Sequence, residues 1–374
     1  MDKYSVQKSI DALKELKGSN TFYDVHVHPY EVMFDACQYQ PSAQSGGLFS
    51  AGAAKYLAPE LGDLNLNPTA VGKGKELEQK LRAMACLLGA RRSYSHTGPV
   101  VFGDQMNLSG IDRVLLLPVV REAEGGDGQL KAMSEMFGGD ERFLFGYCMP
   151  GDISNDQIEA AMRRAVAEYD VRAVKIHPSV TGINLGCRAG VERVEAILAA
   201  AGNNRLNVVI HGGLSPDCQN QQAVSYGTVA NLRHVDWSIT PGAVVIAHGG
   251  CFGHSSGDAC ANVIPAMVGL FERYDNLSFD TSGVGYEVLC RLLKCFDQER
   301  ILFGSDALYE KQWAALMKLW CALRKTQKWP EEALVGIAAL NPGRLFDRKH
   351  GPVQAALAGV SAPPVQFRRE GPLK

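Results

Sequence analysis

Eight short apolar runs recur along the chain, each closed by a polar or turn-forming residue. They cover Tyr23–His28, Arg113–Val119, Phe143–Met149, Ala173–His177, Asn207–His211, Ala243–His248, Leu277–Thr281 and Arg300–Asp306. Runs such as VVI before His211 and VVIA before His248 are apolar at consecutive rather than alternate positions. That pattern suits strands buried on both faces of a parallel sheet. Helix-like segments separate most of these runs, with apolar residues at helical spacing over Asn155–Tyr169, Gly190–Ala201 and Ala259–Tyr274, and Gln312–Lys325 and Pro330–Leu340 follow the last run. Strand and helix in alternation predict parallel pairing with right-handed crossovers. Eight such units favour a closed (β/α)8 barrel, the TIM-barrel form of the α/β class, over an open sheet.

One connection breaks the rhythm. Pro29 to Gly110 separates the first strand from the second, far more chain than a βα loop needs. It holds a Gly- and Ser-bearing stretch, Pro41–Gly52, and a helix-like stretch, Gly74–Leu88. A lid over the catalytic side and a surface used in oligomer contacts are equally compatible with it. The expected organisation is one barrel over residues 1–350, insertion 29–110 included, followed by an aperiodic C-terminal extension, 351–374.

Composition removes several function classes. The 38 basic and 40 acidic residues nearly cancel, so nothing marks a nucleic-acid or membrane surface. The apolar run VLLLPVV is far short of the roughly 20 residues of a membrane helix. The first residues, MDKYSVQKSIDALKEL, read as a charged helix rather than a signal peptide. Ten cysteines are scattered with no CxxC pair, and Cys86, Cys148, Cys290, Cys295 and Cys321 lie in apolar segments. Buried free thiols in a reducing cytoplasm follow.

The polar residues at the strand ends carry the chemistry. His26 and His28 share a face, because strand side chains alternate. Alone, such a pair is a weak signal of metal binding. Here it accompanies His211, His248 and Asp306 at three further strand ends. In a closed barrel these converge on the C-terminal rim, where catalysis sits. Histidine is not a favoured core residue, so packing does not explain the set. Neutral imidazoles with a carboxylate suit zinc or a related divalent ion.

These residues resemble the amidohydrolase superfamily, in particular its amidohydrolase-related branch, which includes decarboxylases similar to aminocarboxymuconate-semialdehyde decarboxylase. The resemblance runs from DVHVHP at Asp24 to NPGRLF at Asn341–Phe346. It implies that His26, His28, His211 and Asp306 bind metal and that Asp306 also shuttles protons. It implies that His248 either binds a second metal or polarises the substrate. DTSG at Asp280–Gly283 and NPGRLF are implied to serve packing and support. Lys175 and His177, in AVKIHPS, resemble two alternatives: a strand whose carbamylated lysine bridges two metals, and a KxHP strand without that role. His177 is expected to orient a ligand or substrate group. His254 could contact substrate from its loop. Asp24 is expected to support the site from deeper in the barrel. Arg91, Arg92 and His96 read as a charged surface turn rather than a substrate clamp.

The resulting expectation is a metal-dependent hydrolase with one zinc-like ion per chain, or two if Lys175 is carbamylated. It would cleave a C–N or C–O bond of a small polar amide, cyclic amide or lactone with a metal-activated water. Asp306 would take the proton of that water, and His248 would stabilise the developing oxyanion. The alternative on the same scaffold is a metal-dependent non-oxidative decarboxylase. GSDALYE at strand eight, in place of the GSDYP of many decarboxylases, weighs against it. The expected partner is the small substrate, with a homo-oligomer compatible.

Overall fold

The computed structural model describes residues 3–28, 99–120, 126–149, 153–215, 221–307 and 309–347. Most of the insertion, with Arg91, Arg92 and His96, and the C-terminal extension lie outside these residues.

The apolar runs become eight parallel strands in chain order: β1 (Tyr23–Val27), β2 (Arg113–Leu116), β3 (Phe143–Cys148), β4 (Ala173–Ile176), β5 (Asn207–Ile210), β6 (Val244–Ile246), β7 (Leu277–Asp280) and β8 (Ile301–Leu302). The last is only two residues long. Past it the chain still runs beside β1. Val25 N–H donates to the Phe303 carbonyl at 3.0 Å, Asp306 N–H to the His26 carbonyl at 2.9 Å, and His28 N–H to the Ala307 carbonyl at 3.1 Å. These bonds join the two ends of the sheet, and the fold is the (β/α)8 barrel.

Apolar side chains divide into two cores. The larger packs the outer strand faces against the helices and includes Val114, Val208, Val244, Trp237 and Trp313. The smaller is the barrel interior. It draws Tyr23, Val25, Leu115, Leu144, Ala173, Val209, Val245 and Leu302 from seven strands, with Phe346 of the Asn341–Phe346 helix. A packed interior of this kind leaves polar chemistry only at the rim.

The expected helices form: Ile158–Tyr169, Arg188–Asn203 and Gln312–Thr326 with ends moved by a few residues, and Ile264–Phe271 and Pro330–Val335 continued by π-helical turns at Ala259–Val263 and Gly336–Leu340. The N-terminal segment is helical over Lys3–Lys17. Part of the insertion, Pro99–Ser109, is a helix that leads into β2. Among the described residues no helix is long and apolar enough to cross a membrane. Cys148, Cys251 and Cys290 are buried free thiols, but Cys295 is half-buried and Cys321 exposed, contrary to their apolar neighbourhoods in sequence, and Cys86 lies outside the described residues. The Gln312–Thr326 helix buries Leu319, Ala322 and Leu323, and turns Cys321 away from that face.

Candidate metal centre

Alternation along the strands carries the inner core upward into the site. Lys175 follows Ala173 and His211 follows Val209 on the same face. His26, Lys175, His211, His248, Asp280 and Asp306 are all buried.

Two hydrogen bonds fix how the first two imidazoles face. His26 turns Nδ1 to Asp280 Oδ2 at 2.8 Å. His28 turns Nδ1 to the Leu117 carbonyl at 2.6 Å. Both partners are acceptors, so both Nδ1 atoms carry the proton, an assignment made from the partners. The Nε2 atoms are therefore bare. They face one another at 2.9 Å, with Asp306 Oδ1 at 3.8 Å from His26 Nε2 and 3.5 Å from His28 Nε2. Two lone pairs cannot bond to each other, and a cation between them removes the repulsion. Two imidazole nitrogens and a carboxylate oxygen suit a zinc-like divalent ion, so the residues fit the expected group. Lys175 Nζ lies 3.1 Å from His26 Nε2 on the same side.

Five imidazoles form a continuous chain of ring contacts. The centroid separations are 4.8 Å for His28–His26, 4.8 Å for His26–His248, 4.9 Å for His248–His211 and 4.1 Å for the stacked pair His211–His177. The fold thus gathers every strand-end histidine named above, but not into one ligand set. Among the described residues, the groups with ligand atoms within 4.8 Å of one another are His26–His28–Asp306 and His26–His248–Asp280. His211 belongs to neither. Its Nε2 lies 3.1 Å from the Leu214 carbonyl, which commits that nitrogen as a donor and leaves Nδ1 for any ligand. Phe252 packs on both His211 and His248, at 5.4 and 4.6 Å between centroids. His254 pairs instead with Asp258, Nδ1 to Oδ2 at 2.6 Å.

Burial sets the protonation states. It holds all five imidazoles below their ordinary value, with His28 and His211 down to about 3, and the neighbouring Lys175 charge adds to the effect on each. Burial pushes the Asp306 carboxyl up to about 7 against the pull of Lys175, and lowers Lys175 to about 8. Asp24 is raised to about 6 by burial, against hydrogen bonds from Ser305 and Gln312.

These shifts predict how the metal-free protein responds to acid. A depressed folded pKa adds stability above the unfolded value, and that stability is lost as pH falls. A raised one acts in the opposite sense, and Asp24, Asp306 and Glu310 are raised. Five imidazoles outweigh three carboxyls, so stability should fall as pH drops from about 7 to about 5, across the ordinary imidazole range. Thermal melts in the presence of a chelator measure this. A melting temperature that rises on acidification would contradict the neutral histidine cluster.

Two site residues sit on strained backbone. His248 has φ 59° and Asp306 has φ 63°, in the left-handed region that non-glycine residues seldom enter. Each costs of order 1–3 kcal/mol and persists only where its surroundings over-determine it. His248, Gly249 and Gly250 are left-handed in succession, with φ 59°, 53° and 70°. This turn redirects the chain immediately after β6, and Cys251 N–H closes it on the His248 carbonyl at 2.9 Å. A Cβ at Gly249 would stand 2.6 Å from Leu292 Cδ1 and sit at φ 53°, so a side chain at this residue would be strained and would displace Leu292. Asp24 braces the other strained residue. It accepts from Ser305 N–H at 2.9 Å, Ser305 Oγ–H at 2.5 Å and Gln312 Nε2–H at 2.8 Å. The deep supporting role expected for Asp24 is the one its contacts describe.

Sequence reasoning gave Asp280 and Ser282 only a general supporting role and passed over Phe252 and the Leu117 carbonyl. DTSG at the end of β7 was the available signal for the first two. A backbone carbonyl leaves none.

The amidohydrolase family model matches residues 23–348. The chain belongs to the amidohydrolase family. No curated protein matches this family member significantly. Solved structures extend the likeness of fold. The 5-carboxyvanillate decarboxylase of Sphingomonas paucimobilis is 15% identical over 88% of this chain and 99% of that one, with a TM-score of 0.53. An uncharacterised TIM-barrel protein of Bordetella bronchiseptica is 15% identical over 71% of this chain and 90% of that one, at 0.52. An amidohydrolase of Burkholderia multivorans is 13% identical over 87% and 99%, at 0.50. At such identities the likeness concerns the barrel and not the reaction.

Proposed function

We propose that this amidohydrolase is a metal-dependent hydrolase of a small amide, cyclic amide or lactone. The reading rests on one observation: two bare imidazole nitrogens and the Asp306 carboxylate converge at the barrel rim. A divalent ion supplies a polarised carbonyl and a water that ionises near neutrality. His26, His28 and Asp306 would hold the ion, with His211 adding Nδ1.

The proton handling falls to this chain's own residues. Asp306 takes the proton of the attacking water and returns it to the leaving nitrogen or oxygen. A carboxylate placed beside both Nε2 atoms is within reach of a water held between them. His248 hydrogen-bonds through Nδ1 to the Ser282 carbonyl at 3.0 Å, so its Nε2 is bare at rest. An unprotonated nitrogen cannot stabilise an oxyanion. His248 must first accept a proton, which changes the simple donor role expected from sequence. Lys175 stays uncarbamylated in the one-ion form, and a carbamate on it would go with a second ion. His177, stacked on His211, and His254 are candidates for substrate contact.

Elemental analysis should give about one divalent ion per chain. The zinc-loaded protein should open lactones or cyclic amides with uptake of water. Release of CO2 from carboxylated phenols, without any hydrolysis, would replace this reading with the decarboxylase. Two ions per chain, one of them lost in Lys175→Ala, would replace the single-ion form with a carbamate bridge.

A further inference from the structure

The geometry points to Asp280 as the positioning residue that sets the proton position on His26 and holds His248 in its left-handed turn. The inference rests on the metal-centre reading above for its consequence, but not for its structural content.

Asp280 ends β7 and is fully buried. Its two oxygens have different partners. Oδ2 accepts from His26 Nδ1–H at 2.8 Å. Oδ1 accepts from His248 N–H at 3.0 Å, from Ser282 N–H at 3.1 Å and from the Ser282 hydroxyl. One carboxylate thus ties β1 to the turn after β6. Ser282 Oγ completes the tie, lying 3.1 Å from His26 Nδ1 and 2.8 Å from His248 Nδ1. Four donors converge on the carboxylate, so its charge is matched despite burial.

The backbone is shaped to admit this cluster. A Cβ at Gly304 would lie 2.9 Å from His26 Cβ, 3.2 Å from Ser282 Cβ and 3.3 Å from Asp280 Cβ. Glycine there gives the three side chains room to meet. The His248 N–H bond to Asp280 holds the first residue of the left-handed HGG turn. Its loss would release the strain and let the ring swing.

Asp280→Asn separates the two functions of the carboxylate. Three donors meet Oδ1, so an amide oxygen belongs on that side. The amide NH2 then faces His26 Nδ1 and donates to it. His26 must accept at Nδ1, and its proton moves to Nε2. A protonated Nε2 has no lone pair for a metal ion. The reversed amide is worse, because its NH2 would face three donors.

The test is the tautomer of His26, read by 15N chemical shifts and two-bond couplings in metal-free, 15N-histidine-labelled protein, with the signal assigned by its absence in His26→Gln. Wild type should show protonated Nδ1 and bare Nε2. Asp280→Asn should reverse this, and zinc affinity should fall about 10- to 100-fold, the usual effect of losing such a partner. Asp24→Asn removes an equally buried carboxylate that contacts no imidazole nitrogen, and should leave the His26 tautomer unchanged. A wild-type His26 protonated at Nε2 overturns the inference, even if Asp280→Asn fails to fold. So does an Asp280→Asn protein with the wild-type tautomer and zinc affinity. A wild-type chain that binds no zinc would instead defeat the functional reading and leave the tautomer result standing.

Discussion

Asp306→Asn should lower turnover by roughly 10²–10⁴-fold, the usual contribution of general acid–base catalysis, while the protein keeps most of its zinc. The substitution is close to isosteric, and the asparagine carbonyl still offers an oxygen beside His26 Nε2 and His28 Nε2. Asparagine also tolerates the left-handed conformation, so the φ of 63° at this position adds no new strain. What disappears is the base, since an amide does not accept a proton near neutrality. Metal analysis beside steady-state kinetics reads the two effects separately. Near wild-type turnover with zinc bound would remove Asp306 as the proton shuttle and make His248 the next group to examine as the base.

His26→Ala should abolish both zinc binding and activity. His26 supplies a bare Nε2 to the centre and is the Nδ1 donor to Asp280 Oδ2. Its loss removes a ligand and leaves a buried carboxylate oxygen short of a partner. An unsatisfied group of that kind costs about 1–3 kcal/mol, more when charged. Against the usual stability of about 5–15 kcal/mol, the barrel should still fold with a lowered melting temperature. Circular dichroism and elemental analysis on the same sample decide the matter. Stoichiometric zinc in the variant would place the ion elsewhere on the rim.

The family relation narrows the chemistry less than the centre itself does. Decarboxylases and hydrolases can share a barrel, and the similar structures resemble this chain in its backbone. The side chains proposed to handle protons are Asp306 and His248, whose Nδ1 meets the Ser282 carbonyl at 3.0 Å.

The sequence by itself determined the strand order and the rim. Short apolar runs at eight places, several of them consecutive, suit a parallel sheet covered with helices, and HxH, HGG, HGG and GSD each end one of those runs. That is local information, written in period and in residue type. It sufficed to bring His26, His28, His211, His248 and Asp306 to one end of the barrel. The boundaries were less legible: β8 is only two residues long, and Phe303–Ala307 beyond it bonds to β1 across the closing seam.

Tertiary structure alone decided which residues actually meet and in what state. His211 is as conspicuous in sequence as His26, yet its Nε2 is taken by the Leu214 carbonyl and it stands outside the tight sets. Asp280 opens the DTSG segment, to which sequence assigned only packing and support, yet it touches two strand-end histidines at once. Proton positions follow from such partners, and a partner from another strand or from a backbone carbonyl has no signature in the sequence near the histidine. The left-handed turns at His248 and Asp306 belong to the same category. A non-glycine residue does not favour that conformation locally, so only contacts from elsewhere in the fold, here from Asp280 and the Asp24–Ser305 brace, can hold it there.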